Sequence, residues 1–170
     1  TILDIARKYN VRAVKRPIEL AGDTAATIDV VFHALTQLSE KFDYMVLLQP
    51  TSPLRAGEHI DDAIDYLLKK EASAVISVTE MDHSPLWSNV LDDTLSMEGF
   101  LDENIPTRSQ ELPTYYRLNG AIYICDIKKM LEEHTYFLKQ NIYAYKMSRE
   151  TSVDIDDELD FKLAKIIFDK

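Results

Sequence analysis

The chain has 170 residues, of which 46% are hydrophobic, and this is enough apolar material to bury one core without disulfides or metals. Its formal net charge of −10 argues against a nucleic-acid partner, because that affinity comes largely from basic side chains that neutralise phosphates. No apolar run approaches the roughly 20 residues of a membrane-spanning helix, so we expect no membrane partner. Cys125, the single cysteine, is expected to be a buried, reduced thiol, and the cytoplasm is the expected compartment.

Helical and strand patterns alternate along the first half of the chain. An opening helix is followed by a predicted short strand at 11–14, and Asp23 or Thr24 is expected to cap the second helix. A strand at 43–48 ends in a turn with two prolines and leads into another amphipathic helix. The β-rich segment 73–78 lacks strict alternation, which indicates burial on both faces. These elements predict an α/β fold with a mostly parallel sheet between two layers of helices.

The pattern weakens after Glu80, where prolines and irregularly spaced apolar residues alternate. We interpret 81–118 as an insertion that forms an arm, because a surface loop would leave too many large apolar side chains in water. Regular patterns return with a strand at 121–125, a short helix at 127–133, a strand at 142–147 and a closing amphipathic helix from Asp156. We therefore expect one domain that covers 1–170.

The turn after the strand at 43–48 has the composition of a binding loop. It reads Gln49-Pro50-Thr51-Ser52-Pro53, so two prolines fix the backbone while hydroxyls and an amide offer hydrogen bonds. In an open α/β sheet, ligands bind outside the carboxyl ends of the strands, where this turn would lie. An ordinary strand-to-helix connection is the alternative interpretation.

Asp154 and Asp156 are the best candidates for metal ligands. Side chains two residues apart on an extended segment project to the same side, so these two carboxylates can hold one hard cation. Mg²⁺ suits such a pair, because it commonly takes one or two carboxylates together with substrate phosphates. The alternative is helix amino-terminal charge, in which Asp156, Asp157 and Glu158 only complement the dipole of the helix that they precede.

Four motifs in this order carry a resemblance to a known family. They are RPIELAGDT at 16–24, LLQPTSPLR at 47–55, RLNGAIYI at 117–124 and SVDID at 152–156. With them, the sequence resembles the acylneuraminate cytidylyltransferases, also called CMP-sialic acid synthetases, over essentially its whole length. The resemblance implies a Rossmann-like three-layer nucleotidyltransferase fold. It also implies a reaction in which a nonulosonic acid sugar attacks the α-phosphate of CTP, giving the CMP-sugar and pyrophosphate.

The resemblance also implies roles for individual residues. Asp154 and Asp156 would hold Mg²⁺ against the triphosphate, with Gln49 and Arg117 completing the catalytic set. The nucleotide would lie by Arg16, Asp23, Thr24, Thr51 and Ser52. The sugar would be bound by Gln49, Arg108, Arg117, Asn119, Tyr123, Tyr136 and Phe137, where either arginine can pair with the sugar carboxylate. Residues 81–118 would build much of a homodimer interface.

Two departures from the family pattern bear on these expectations. The basic, Gly-rich loop that cradles the triphosphate in the family has no counterpart among the four glycines of this chain. We therefore expect the amino-terminal strand and phosphate loop to be missing, and these 170 residues alone to be inactive. Trp87 stands where better-known members carry a lysine, which leaves the choice of nonulosonic acid open. A 3-deoxy-manno-octulosonate cytidylyltransferase and a noncatalytic, dimer-forming binding module remain as alternatives.

Overall fold

The structure is a computed structural model that describes residues 2–22 and 24–170. Within this part of the chain, helices and strands follow in the order α1 (Ile2–Lys8), α2 (Thr27–Thr36), β1 (Tyr44–Leu47), α3 (Gly57–Lys69), β2 (Ala74–Glu80), β3 (Tyr116–Asp126), α4 (Ile127–Glu133), β4 (Ile142–Met147) and α5 (Glu158–Phe168). Short 3-10 helices cover Ile18–Leu20, Pro85–Trp87 and Ser109–Glu111. The predicted α/β class is confirmed.

The four described strands form one sheet in the order β1-β3-β2-β4. β2 and β4 are parallel, whereas β3 runs antiparallel to both β1 and β2, which flank it. The prediction of a mostly parallel sheet therefore needs correction. Three of the described strands share one direction, but the sheet is mixed because β3 lies between two of them.

Helices cover both faces of the sheet, so the structure has three layers. On one face, Ala63 and Leu67 of α3 pack against Val75 and Ile122. On the other face, Val31 of α2 and Met130 of α4 pack against alternate residues of the same strands, including Ala74 and Cys125. Neighbouring strand residues point to opposite faces, so burial on both faces explains why these strands lack polar alternation.

The central strand β3 carries a bulge that shapes the functional end of the sheet. Ile76 pairs with Tyr123 and Val78 pairs with Leu118, so residues 119–122 lie opposite Ser77 alone. We call residues 119–122 the β3 bulge. Ser77 replaces the lost ladder bonds, since its hydroxyl accepts from the Ile122 amide at 2.7 Å and contacts the Asn119 amide oxygen at 2.6 Å. Bulges of this kind re-aim the chain near functional sites.

Two predicted local features were wrong. Residues 11–14 form no strand, because no described strand pairs with them and Val11 is exposed. Helix α2 begins at Thr27 after Ala26, whose side chain cannot cap, so Thr24 lies before the helix rather than at its N-cap. Asp23, the other predicted cap, lies outside the described residues.

Residues 81–118 form an arm of turns between β2 and β3, apart from the three residues at the start of β3. Trp87 stabilises the arm internally, since its indole N–H donates to the Pro106 carbonyl at 3.1 Å. Val90, Leu95 and Met97 are 89%, 70% and 61% exposed, so part of the apolar surface of the arm is uncovered in the single chain. No described helix has the length and apolar character to cross a membrane.

Candidate active site

The turn after β1 is held against the β3 bulge by hydrogen bonds. Arg55 donates to the carbonyls of Gln49 at 3.2 Å and Ala121 at 2.7 Å, so one guanidinium ties the turn to the bulge. Ser52 is fully buried, and its hydroxyl donates to the Asn119 carbonyl at 3.2 Å. Gln49 is half-buried and Thr51 is exposed at the surface of the turn. The turn is therefore a fixed element of the site.

Gly120 lies where the candidate catalytic segments meet. Its φ is +71°, a left-handed backbone conformation that residues other than glycine rarely adopt. A Cβ at this position would lie 2.3 Å from Oε1 of Gln49 and 3.3 Å from Oδ2 of Asp154. The absence of a side chain at Gly120 thus lets the Gln49 amide and the Asp154 carboxylate approach the same point on β3.

The acid loop, residues 152–156, approaches from the other side. Its backbone joins the turn after β1, because the Ile155 amide donates to the Thr51 carbonyl at 2.9 Å. Val153 is buried, and Oδ1 of Asp154 is buried without a hydrogen-bond partner among the described residues. Asp156 is exposed. The sequence RLNGAIYI and the sequence SVDID therefore meet in space, although about 30 residues separate them.

The helix that follows the acid loop is capped by a different residue. Asp157 accepts from the amides of Leu159 at 2.7 Å and Asp160 at 3.1 Å, and Asp160 accepts from the amide of Asp157 at 3.1 Å. This reciprocal capping box is supplied without Asp154. The interpretation that the acids only serve the helix therefore fits Asp157 and Asp160 and leaves the Asp154 carboxylate unexplained.

Asp154 and Asp156 line one cavity of about 720 Å³ together with Arg117. The cavity wall carries five acidic residues and two arginines, and Arg149 forms an ion pair with Asp82 there. Such a surface repels phosphate and carboxylate groups unless a cation is bound.

A divalent cation fits this set of residues. Asp154 offers an unpartnered buried oxygen and Asp156 an exposed carboxylate on the same cavity. No group of three or more His, Cys, Asp or Glu ligands occurs in the described part of the chain. Mg²⁺ needs no such group, since it completes its shell with waters and substrate phosphates.

Three aromatic side chains form a cluster beside the acid loop. The Tyr123 ring meets Tyr136 edge-on at 5.2 Å and Phe137 at 6.1 Å. Burial raises the pKa of the Tyr123 hydroxyl, and Tyr136 and the negative charge of Asp154 raise it further. The predicted aromatic residues are thus together, with Phe137 exposed and the Tyr123 phenol neutral near Asp154.

The structure does not bring the other predicted residues to this cavity. Arg16 lines a separate cavity of about 630 Å³ with Lys15 and His33, and Thr24 is exposed near α2. Arg108 lies in the arm, where its guanidinium is 3.8 Å from the Glu111 carboxylate. Asp23, also predicted at the nucleotide, lies outside the described residues.

Sequence reasoning did not predict the structural roles of four contributors to the site. Arg55 holds the turn after β1, Gly120 admits two side chains, and Ser77 and Ser152 bond the Asn119 amide. A glycine inside a strand pattern is a recognisable signal of close approach. The two serines had no such signal, because their role depends on a bulge that pairs distant residues.

Cys125 takes no part in the site. Its thiol is fully buried on the opposite face of β3 from Ile122 and Ile124, and burial raises its pKa to about 12. A thiol with this pKa stays protonated at neutral pH and is a poor nucleophile.

Comparisons with known proteins identify the family. No protein-family model matches the chain. The N-acylneuraminate cytidylyltransferase of Escherichia coli is 34% identical over 167 residues, which cover 98% of this chain and 39% of that relative. The CMP-N,N'-diacetyllegionaminic acid synthase of Legionella pneumophila is 31% identical, and the match covers 96% of this chain and 72% of the relative. The chain belongs to the N-acylneuraminate cytidylyltransferase family.

The fold comparison agrees with this membership. The crystal structure of 4-diphosphocytidyl-2C-methyl-D-erythritol synthase from Anaerococcus prevotii matches with a TM-score of 0.65 at 17% identity. The match covers 99% of this chain and 76% of the solved one, so it supports the three-layer fold alone. The chain spans about two fifths of the length of its E. coli family member.

Proposed function

We propose that this family member is a cytidylyltransferase that activates a nonulosonic acid with CTP. The observation that carries the proposal is the convergence of Gln49, Gly120 and Asp154, where Asp154 has a buried, unpartnered carboxylate oxygen and lines an acidic cavity. The names of the relatives add the reaction class, since the E. coli relative is named a cytidylyltransferase and the L. pneumophila relative a CMP-N,N'-diacetyllegionaminic acid synthase.

In the proposed reaction, an oxygen–phosphorus bond forms between the sugar hydroxyl and the α-phosphate of CTP. The bond from that phosphorus to pyrophosphate breaks, and the hydroxyl gives up its proton to water. Such a transfer depends on positioning and charge neutralisation more than on a covalent nucleophile. A site with carboxylates and an amide, and with Cys125 buried elsewhere, suits that requirement.

Asp154 and Asp156 are the proposed holders of Mg²⁺. When bound there, the cation would neutralise phosphate charge and offset the five acidic residues of the cavity wall. Gln49 would orient the sugar, since its side-chain amide lies over Gly120 beside Asp154. Arg117 on the cavity wall would pair with the sugar carboxylate, and Tyr123, Tyr136 and Phe137 would pack against the sugar.

Arg16, Asp23, Thr24, Thr51 and Arg108 keep their proposed roles at the nucleotide and the sugar. Arg16 lies by a cavity of its own, and Thr51 is exposed on the turn after β1. Arg108 lies on the arm, so it would reach a sugar site as part of an assembled dimer. Ser52 and Asn119 are buried, and both use their polar side-chain atoms inside the protein.

Pyrophosphate release tests the proposed reaction. The full-length protein is mixed with CTP and Mg²⁺ and given N-acetylneuraminate, legionaminate, pseudaminate or 3-deoxy-manno-octulosonate in parallel. We expect release with one of the first three sugars and none without sugar. Release with only the eight-carbon acid would move the assignment to a 3-deoxy-manno-octulosonate cytidylyltransferase. If folded protein releases no pyrophosphate with any of the four sugars, the noncatalytic binding module becomes the favoured alternative.

A homodimer built on the arm is part of the proposal. Val90, Leu95 and Met97 expose apolar surface on an arm of turns, which is the kind of surface that a second copy would cover. We expect sedimentation equilibrium to give a dimer, and Val90→Asp to give monomers, because it would bury an unpaired charge. Ile2→Asp is the matched control, since Ile2 is 86% exposed on α1 outside the arm. A monomeric wild-type protein, or equal dissociation by both variants, would contradict the arm interface.

A further inference from the structure

The Asn119 amide has no free hydrogen-bonding capacity for a ligand. The residue is 1% exposed. Its amide oxygen accepts from the Ser77 hydroxyl at 2.6 Å and from the Ala121 backbone at 3.3 Å. Its amide nitrogen donates to the Ser152 hydroxyl at 2.9 Å and to the Met147 sulfur at 3.4 Å. The Ala121 N–H can only donate, so it fixes which end of the amide is the oxygen.

Ser152, the first residue of the acid loop, connects the loop to the Asn119 amide. It is fully buried, and its hydroxyl donates to the Ser148 carbonyl at 2.6 Å while it accepts from Asn119. Its backbone amide donates to the Arg149 carbonyl at 3.1 Å, which closes the turn before the loop. Two residues later comes Asp154. The other side of Asp154 is held by the bond from Ile155 to Thr51. The carboxylate is therefore anchored on both sides in sequence.

The acidic charge of the cavity explains why an uncharged group, the Asn119 amide, is suited to hold the acid loop in place. Asp154 shares the cavity with four other acidic residues, and repulsion among them favours moving the acid loop outward. An amide bonded by two buried hydroxyls resists that movement without adding charge. Ser77 lies on β2 and bonds Asn119 and Ile122, so it acts on the loop through the Asn119 amide.

We propose that Asn119, held by Ser77 and Ser152, is a positioning residue that fixes the Asp154 carboxylate and is not a ligand of the sugar. This inference rests on the proposed function for the meaning of the Asp154 site. We call the hydrogen-bonded series Ser77, Asn119 and Ser152 the relay. Its restraint on the movement of the acid loop does not depend on which reaction the protein catalyses.

The test uses Ser77→Ala and Ser152→Ala in the full-length protein. Ser73→Ala is the matched control, because Ser73 is also buried near β2 and hydrogen-bonded, but to Lys129 and Asn141 away from the site. Hydrogen exchange of residues 152–156 is measured without metal, and Mg²⁺ binding is measured by calorimetry with CTP present. Partners that orient a metal ligand typically contribute about 10–100-fold to metal affinity.

We expect both site variants to speed exchange of the acid loop and to weaken Mg²⁺ binding by about tenfold, with the sugar KM near its wild-type value. Ser73→Ala should change neither the loop exchange nor Mg²⁺ binding. Unchanged loop exchange in both site variants, or a raised sugar KM with unchanged Mg²⁺ affinity, would overturn the inference. If the wild-type protein binds no Mg²⁺ with CTP, the proposed function fails, and the exchange comparison still decides the relay. If Ser152→Ala does not fold, Ser77→Ala carries the same comparison.

Discussion

Gly120→Ala is expected to reduce pyrophosphate release by about a hundredfold, because a displacement of about 1 Å in a positioned group has this effect. The new methyl group would lie 2.3 Å from Oε1 of Gln49, so the Gln49 amide must move away from Gly120. The left-handed backbone adds a strain of about 1–3 kcal/mol for a side chain other than glycine. The result combines a loss of activity with a moderate loss of stability, and both are measured on the purified variant.

Gly99→Ala separates the two causes. Gly99 also has a positive φ, +66°, but a Cβ there would meet no atom within 4 Å among the described residues other than its chain neighbours. We expect this control to lose stability through backbone strain alone and to keep its activity. If Gly99→Ala and Gly120→Ala lose activity equally, the close approach at Gly120 has no specific role. Chemical denaturation gives the stability of each variant, and initial rates with saturating Mg²⁺ give the activity.

Asp154→Asn is expected to abolish Mg²⁺-dependent transfer while leaving the fold intact or more stable. The amide keeps the shape of the carboxylate but removes the charge that would bind the cation, and metal stabilisation of a transition state amounts to several kcal/mol, or roughly a thousandfold in rate. In the protein without metal, the carboxylate has a buried oxygen without a partner and lies near other acids. Its neutralisation should therefore raise the thermal midpoint, as often occurs when a functional group is removed from a strained site.

Asp157→Ala is the matched control for Asp154→Asn. Asp157 is the N-cap of α5 and bonds the amides of Leu159 and Asp160, so its loss should lower stability by about 1 kcal/mol. Transfer and Mg²⁺ affinity should remain, since Asp157 does not line the cavity. We therefore expect opposite results from the two variants: Asp154→Asn loses transfer and keeps or gains stability, whereas Asp157→Ala keeps transfer and loses stability. Lower stability with normal Mg²⁺ affinity for Asp154→Asn would show that it too is only structural.

Much of the fold could be predicted because its local signals are strong. The boundaries of α4 (IKKMLEE) and β4 (IYAYKM) match the predicted 127–133 and 142–147. The strand at 11–14 failed, because β propensity alone does not supply a pairing partner. The antiparallel direction of β3 was also missed. Helical and strand periodicity does not encode strand direction, and the long arm allows β3 to enter the sheet either way.

The sequence predicted the segments that form the site but not the hydrogen bonds that join them. Motifs marked the Asp154 loop and the turn with Gln49, and the structure brings both to Gly120. Asn119 was expected to contact the sugar, but the bulge turns its amide inward to Ser77 and Ser152. That outcome depends on the register between β2 and β3. A register shift at one bulge is a tertiary feature, and residue types alone do not specify it.

The most direct test of the proposed activity follows the phosphorus atoms. ³¹P NMR is recorded on CTP, Mg²⁺ and the sugar acid that gives the greatest pyrophosphate release, with wild-type protein and with Asp154→Asn. The account predicts a new CMP-sugar phosphodiester and an equal amount of pyrophosphate with the wild type, and unchanged CTP with the variant. Free CMP without a phosphodiester, or equal turnover by the two proteins, would contradict a transferase site built on Asp154.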